Sequence, residues 1–412
     1  MRTCVVLVIV SFASVVGPGL PAAAAQGLAL TEAQALDRLA EDSPAIAALR
    51  ARLAGADADV ADARRRPNPV VTVSREAVSG VAEHYVLVSQ PLSFLWRRGL
   101  EVDGAAARAR AVGAGVRALE RLARADLRLA FADLLAAQSR EDNLRASLAR
   151  VRELAGALAL REAAGDAAGF DRLRAEQEAV ELAADLAEAA AARAAAQAAL
   201  GSFFAPTGET TGLLAVPTPH EPVPLPDPEA LVDHATTSLG ELAAFDARIE
   251  AARLQRQVAD RRWVPELEVL AGVKRSNAGA GDRGGVVSVL ASLPLFDRGQ
   301  PERARATADE RLAMAEREAF VARLRAAIEG QHAIVVRNRE AFETYRAAAG
   351  EGAARLERIA LVSYEAGERS ILELIDAYRA GARARLRTVD LATAARRAEI
   401  ELEYLTGWEG WQ

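Results

Sequence analysis

Pro265 to Phe296 reads PELEVLAGVKRSNAGAGDRGGVVSVLASLPLF, and its reading decides the fold. In the first half Leu267, Val269, Ala271 and Val273 fall on one face, with Glu266, Glu268, Leu270 and Gly272 on the other. In the second half Val287, Val289, Ala291, Leu293 and Leu295 share a face, and Val286, Ser288, Leu290 and Ser292 take the opposite one. Side chains alternate across a strand, so the stretch predicts two strands joined by a polar, Gly-rich loop around Asn277 to Gly284. An equivalent pair lies upstream, from Pro69 to Ala77 and from His84 to Phe94, with a short turn at Ser79-Gly80. Spans of about nine to twelve residues with alternating polarity suit membrane β-strands. Alternation is a weak signal per strand, so a pair of soluble hairpins capping helices is the competing reading. Trp96 and Trp263 lie just outside the strands on the helix side, where aromatics suit a membrane interface. Four strands cannot close a barrel, and lipid does not tolerate an open edge. Strands placed in a membrane must therefore be pooled from several chains, since the smallest membrane barrels need about eight.

Outside the strands the chain reads as helix. No Pro occurs between Pro91 and Pro206 or after Pro301, and Pro breaks helix interiors. Ala, Leu, Arg and Glu, all strong helix formers, fill both gaps. Leu144, Leu148, Val151 and Leu158 form a heptad stripe, as do Val321, Leu324, Ile328 and Val335, which is the pattern of long helices packed side by side. Gly165 and Gly367 interrupt the two stretches at matching points and read as helix ends followed by tight turns. Each stretch then predicts a helix of about 65 residues, about 100 Å long, and a return helix of about 35 residues.

The two halves correspond. AALRAR at Ala47–Arg52 matches AAFDAR at Ala243–Arg248, an offset of 196, and at that offset Arg65-Arg66 recurs as Arg261-Arg262 and Pro69 as Pro265. Pro91-Leu92 returns as Pro294-Leu295, Arg98-Gly99 as Arg298-Gly299, and Ala164-Gly165 as Ala366-Gly367. Landmarks in one order with drifting offsets predict a duplicated unit, with a period far too long for a solenoid. The predicted organisation is a signal peptide over 1–26, a first repeat over 27–205 with one helix ahead of its hairpin at about 69–94 and the long and return helices after it, a linker over 206–228, a second repeat over 229–407 of the same layout with its hairpin at about 265–296, and a tail over 408–412. The Pro-rich linker reads equally as a belt around the helices.

Composition closes several classes. The first residues carry a positive Arg2, an apolar run from Val5 to Val16 and a small-residue cleavage site at Ala22 to Ala25, the pattern of an export signal. The only cysteine, Cys4, lies within it and too early for a lipidated cleavage site, so the mature chain has no thiol chemistry. The formal net charge of −6, with basic residues that are nearly all scattered Arg, argues against nucleic acid. His84, His220, His234 and His332 are scattered with no ligand spacing, and no phosphate loop or nucleophile elbow is present, so no enzyme, metal or cofactor reading stands.

Pro67-Asn68-Pro69 before the first strand, Pro294 to Gly299 (PLFDRG) after the fourth, and Tyr364 to Ala377 (YEAGERSILELIDA) at the second helical turn resemble the TolC-type outer-membrane factors. The resemblance runs from about Leu28 to Gly407 and implies a mainly α fold: a homotrimer in which four strands per chain give a twelve-stranded barrel continuous with a periplasmic helical tunnel. It implies the outer-membrane exit duct of a tripartite efflux or type I secretion system, working with a periplasmic adaptor and an inner-membrane pump. The length, the PNP opening and the QPLSF strand end look most like the heavy-metal, CzcC-like branch. By the same resemblance Glu373 and Asp376 ring the periplasmic aperture, Tyr364 and Arg369 tether neighbouring helices, and the turns at Gly165 and Gly367 form the adaptor-docking tips. Physically, Glu373 and Asp376 share a helix face, and threefold symmetry turns them into a cation-attracting ring. Without the resemblance they are a solvated helix face. The remaining alternative is a periplasmic coiled-coil adaptor or structural protein.

Overall fold

The computed structural model describes residues 28–92, 94–164, 169–204, 212–218, 223–279, 282–408 and 410. The segment read as a signal peptide, the turn at Gly165 and His220 lie outside the described residues. The chain runs through β1 (Ala29–Leu30), α1 (Glu32–Asp42), α2 (Pro44–Ala63), β2 (Val70–Val78), β3 (Val81–Pro91), α3 (Phe94–Ala164) and α4 (Gly169–Gly201). It continues through β4 (Leu214–Ala215), α5 (Pro228–Ser238), α6 (Gly240–Asp260), β5 (Glu266–Ser276), β6 (Arg283–Ser292), α7 (Gln300–Glu365) and α8 (Ile371–Thr406).

The two long helices have 71 and 66 residues, about 100 Å each at 1.5 Å per residue. Pro301 sits in the first turn of α7, where a missing N–H costs no hydrogen bond. Two details differ from the sequence reading. The single helical stretch expected before each hairpin is a pair of helices, broken at Ser43 and Leu239, both extended. Pro44 disfavours helical backbone at Ser43. Strand pairing also stops earlier, at Pro91 and Ser292 rather than Phe94 and Phe296. Pro91 and Pro294 have no N–H to extend a ladder.

The strands form one antiparallel sheet in the order β2-β3-β5-β6. Ser79 (φ 51°) and Gly80 (φ 85°) close the first hairpin in the left-handed conformations that a two-residue turn of this twist needs. The hairpins join through β3 and β5, with Val86 opposite Val273 and Val88 opposite Ala271. Both outer strands, β2 and β6, have a free edge among the described residues.

The helices pack in apolar seams laid end to end. Leu39, Leu127, Phe131, Leu134 and Leu200 join α1, α3 and α4. Leu231, Leu324, Ile328, Val335 and Leu402 join α5, α7 and α8. Leu158, Ala175, Ile371, Leu374 and Ile375 hold the far end. Between them buried and half-buried carboxylates are gripped by arginines of neighbouring helices. Glu32 accepts from Arg128 and Arg396, Glu357 from Arg150 and Arg385, and Glu178 from Arg379. Within the 206–228 stretch, Gln138 bonds Ala215 through both backbone groups, and Arg339 donates to the Val223 carbonyl. Among the described residues no helix is long and apolar enough to cross a membrane.

Candidate functional site

The described residues that the sequence singled out for a site fall in two regions: the turn between α7 and α8, and the sheet with its flanks. At the turn Ala366 caps the C-terminus of α7, and Gly367 takes φ +73°. Its N–H donates to the Tyr364 carbonyl at 3.0 Å, and that of Glu368 to the Ser363 carbonyl at 2.9 Å. This is a Schellman end, which needs a left-handed residue at that position. Ser370 then caps α8. Its backbone N–H donates to the Glu373 carboxylate at 2.9 Å, completing a capping box. The signature Ser370-x-x-Glu373 is legible in the sequence, so Glu373 has a structural duty beside the expected one.

Arg369 donates to the same carboxylate at 2.7 Å. The Ser370 N–H, with the Arg369 charge behind it, holds the Glu373 carboxyl below its usual range. Asp376 lies one turn on, exposed on the same face, while Ile371, Leu374 and Ile375 are buried on the other. Arg369 is thus committed within its own turn. Tyr364 reaches further: it packs on the end seam, and the Arg161 guanidinium of α3 lies 5.9 Å from its ring centre. The structure therefore brings Glu373, Asp376 and Arg369 together at one end of the helices, with Tyr364 behind them.

The sheet has two unlike faces. Val71 (63% exposed), Val73 (75%), Val86, Val88, Val273, Val287 (78%) and Val289 all point to one side with nothing over them. Burying seven valines is worth about 10 kcal/mol, and a contiguous apolar face of this kind marks an interaction surface. The opposite face is polar: Lys274 pairs with Glu83 at 2.5 Å, and Glu83 also accepts from Tyr85. At the helix end of the sheet Trp263 is 63% exposed. Trp96 is half-buried in the first turn of α3, its carbonyl accepting from Arg261 at 2.6 Å. Among the described residues no group of three or more His, Cys, Asp and Glu could hold a metal ion.

The arginine grips on these carboxylates were not found by sequence reasoning. They join residues up to 364 positions apart, and in a chain this rich in Arg and Glu no local signal selects the partners.

A family model described as outer membrane efflux protein matches residues 231–408. The nickel and cobalt resistance protein CnrC of Cupriavidus metallidurans is 32% identical over 298 residues, covering 68% of this chain and 69% of its own. The nickel-cobalt-cadmium resistance protein NccC of Alcaligenes xylosoxydans is 29% identical over 269 residues, 62% of this chain and 59% of its own. Among solved structures, the outer membrane protein VceC of Vibrio cholerae superposes with a TM-score of 0.74 at 17% identity, covering 91% of this chain and 96% of its own.

Proposed function

The chain belongs to the outer membrane efflux protein family, and from that membership we propose that it is the exit duct of a tripartite efflux system, carrying solute passively through the periplasm and the outer membrane. The observation that carries the reading is a four-stranded sheet with a bare valine face and free edges, set on helices about 100 Å long. Lipid covers such a face, and water does not. A periplasmic adaptor has no use for it, so the duct is favoured. Because free edges are not tolerated in hydrocarbon, three copies pool their strands into a closed twelve-stranded barrel. The two series of helices, hairpin, long helix and return helix are read as a duplicated unit. Trp263 and Trp96 sit at the periplasmic interface of the outer membrane.

At the other end, Glu373 and Asp376 of three chains ring the aperture, and Tyr364 helps to hold adjacent helices closed. Gly367, with Gly165 in the partner turn, forms the tip that meets an adaptor, which in turn joins an inner-membrane pump. CnrC and NccC are named for resistance to nickel, cobalt and cadmium, so the solute class is divalent heavy-metal cations. Deleting the gene and measuring metal tolerance and efflux tests the substrate. Fractionation tests the placement: the expected result is outer-membrane protein that migrates as a trimer until heated, and a soluble periplasmic monomer would overturn it.

A further inference from the structure

The outer end of the sheet carries a cationic row that transport does not use. Arg75 on β2 lies opposite His84 on β3, His84 opposite Arg275 on β5, and Arg275 opposite Arg283 on β6. The four make one straight line across the sheet, one residue per strand. All are exposed, and all belong to the valine face by alternation, one position beyond Val73, Val86 and Val273 on that face. None makes an ion pair or hydrogen bond through its side chain among the described residues. The acids nearest in sequence, Glu76, Glu83 and Asp282, occupy alternate positions, and Glu83 is engaged with Lys274 and Tyr85 on the polar face.

Arg275 and Arg283 lie directly opposite one another, and like charges so placed destabilise a sheet. With no internal counter-charge in the row, an anion from outside the chain relieves that repulsion. The height of the row says which anion. From Leu267 to Arg275 on β5 is about 27 Å along the strand and roughly 20 Å along the membrane normal at the usual tilt of about 40°. That places the row at the outer edge of the apolar band, beside the hairpin turns and away from the helices. Neighbouring strands are about 4.8 Å apart, so the row is about 15 Å wide, room for a headgroup with more than one phosphate. Guanidinium groups suit phosphate because they bind it through two parallel hydrogen bonds.

We propose that Arg75, His84, Arg275 and Arg283 form a binding row for the phosphates of outer-leaflet anionic glycolipid, the lipopolysaccharide class. The proposal rests on the outer-membrane placement above. The test uses full-length protein from outer membranes, as wild type, as R75Q/H84Q/R275Q/R283Q, and as R75K/R275K/R283K, each stripped of lipid in detergent. The probes are lipopolysaccharide, the same lipid dephosphorylated, and inorganic phosphate, read by the shift in thermal midpoint and by the lipid phosphorus retained on purification. Phosphorylated lipid is expected to stabilise the wild type, the glutamine variant to need at least ten-fold more lipid for the same shift, and the lysine variant to fall between them. If the glutamine variant does not insert, the lysine variant carries the comparison. Equal binding by all three, equal stabilisation by dephosphorylated lipid, or full stabilisation by inorganic phosphate alone would overturn the proposal. Wild-type protein missing from the outer membrane would instead defeat the placement, and fractionation reads that separately.

Discussion

A glycine-to-alanine change inside a helix ordinarily stabilises it by about 1 kcal/mol; at Gly381 the opposite sign is expected. Gly381 lies on α8 where the Glu357 side chain of α7 crosses it. A Cβ there would stand 1.5 Å from Oε1 and 2.4 Å from Cδ of Glu357. The carboxylate would have to swing away, and it is not free to do so. Arg150 of α3 holds one oxygen at 3.0 Å, and Arg385 of α8 holds the other at 2.8 Å. Breaking a fully buried pair costs about 3–5 kcal/mol. Glu357 is buried, but the two arginines are 39% and 29% exposed, so a cost of about 2–3 kcal/mol is reasonable after solvent screening. Set against the helix gain, Gly381→Ala should destabilise by about 1–2 kcal/mol. In a Glu357→Ala background the obstacle is gone, and the same change should stabilise by about 1 kcal/mol. The assay is the thermal midpoint of the 222 nm signal in detergent, at one scan rate, for the four proteins of the cycle. Gly156→Ala, at a helical site with nothing near its Cβ, is the control. If Gly381→Ala raises the midpoint in both backgrounds, Glu357 is not locked between its arginines and the reasoning fails.

Three further outcomes are expected. Glu373→Gln with Asp376→Asn removes the aperture charge while Gln still completes the capping box, so planar bilayers should show weaker cation selectivity and weaker block by trivalent cations with no loss of helix content; unchanged selectivity would return both residues to a solvated helix face. Gly367→Trp forces a bulky residue into φ +73° and should abolish efflux while leaving outer-membrane insertion intact, as read by metal tolerance and fractionation. Burial works against the Glu32 carboxylate, but Arg396 and Arg128 outweigh it and hold the group below its ordinary value of 4.5. Its stabilising contribution is then fully present above that value and lost as pH falls below it, so Glu32→Gln should lower the melting midpoint at pH 7 and narrow the gap from wild type as the pH is taken below 4.5.

The elements were legible where one physical rule dominates. Proline-free stretches delimited α3 and α7, and alternation delimited β2, β3, β5 and β6, each to within a few residues. The break at Ser43 was marked by Pro44, and the cap at Glu373 by Ser370, yet both signals are short and were outweighed by long helical periodicity. The pairing of β3 with β5 carries no local mark, because nothing in either strand names its neighbour across the separation between Val88 and Ala271. The Arg–Glu grips are illegible for the same reason. The expected duty of Arg369 as a tether competes with its ion pair to Glu373 in the same turn, which a pattern of residue types does not disclose.

The concentration of exposed valines in the sheet also bears on how an exported chain waits for its partners. Chains that present greasy surface before assembly aggregate. Here the long helices are rich in Arg, Glu and Ala, and they settle their charges on one another. The exposed valines are densest on the short strands between Val70 and Ser292, while exposed apolar side chains such as Leu160, Phe170 and Val362 are scattered along the helices. A holding chaperone in transit therefore finds its most continuous apolar target on the two hairpins rather than along helices about 100 Å long. Once those hairpins enter lipid or meet other copies, the continuous valine face is covered.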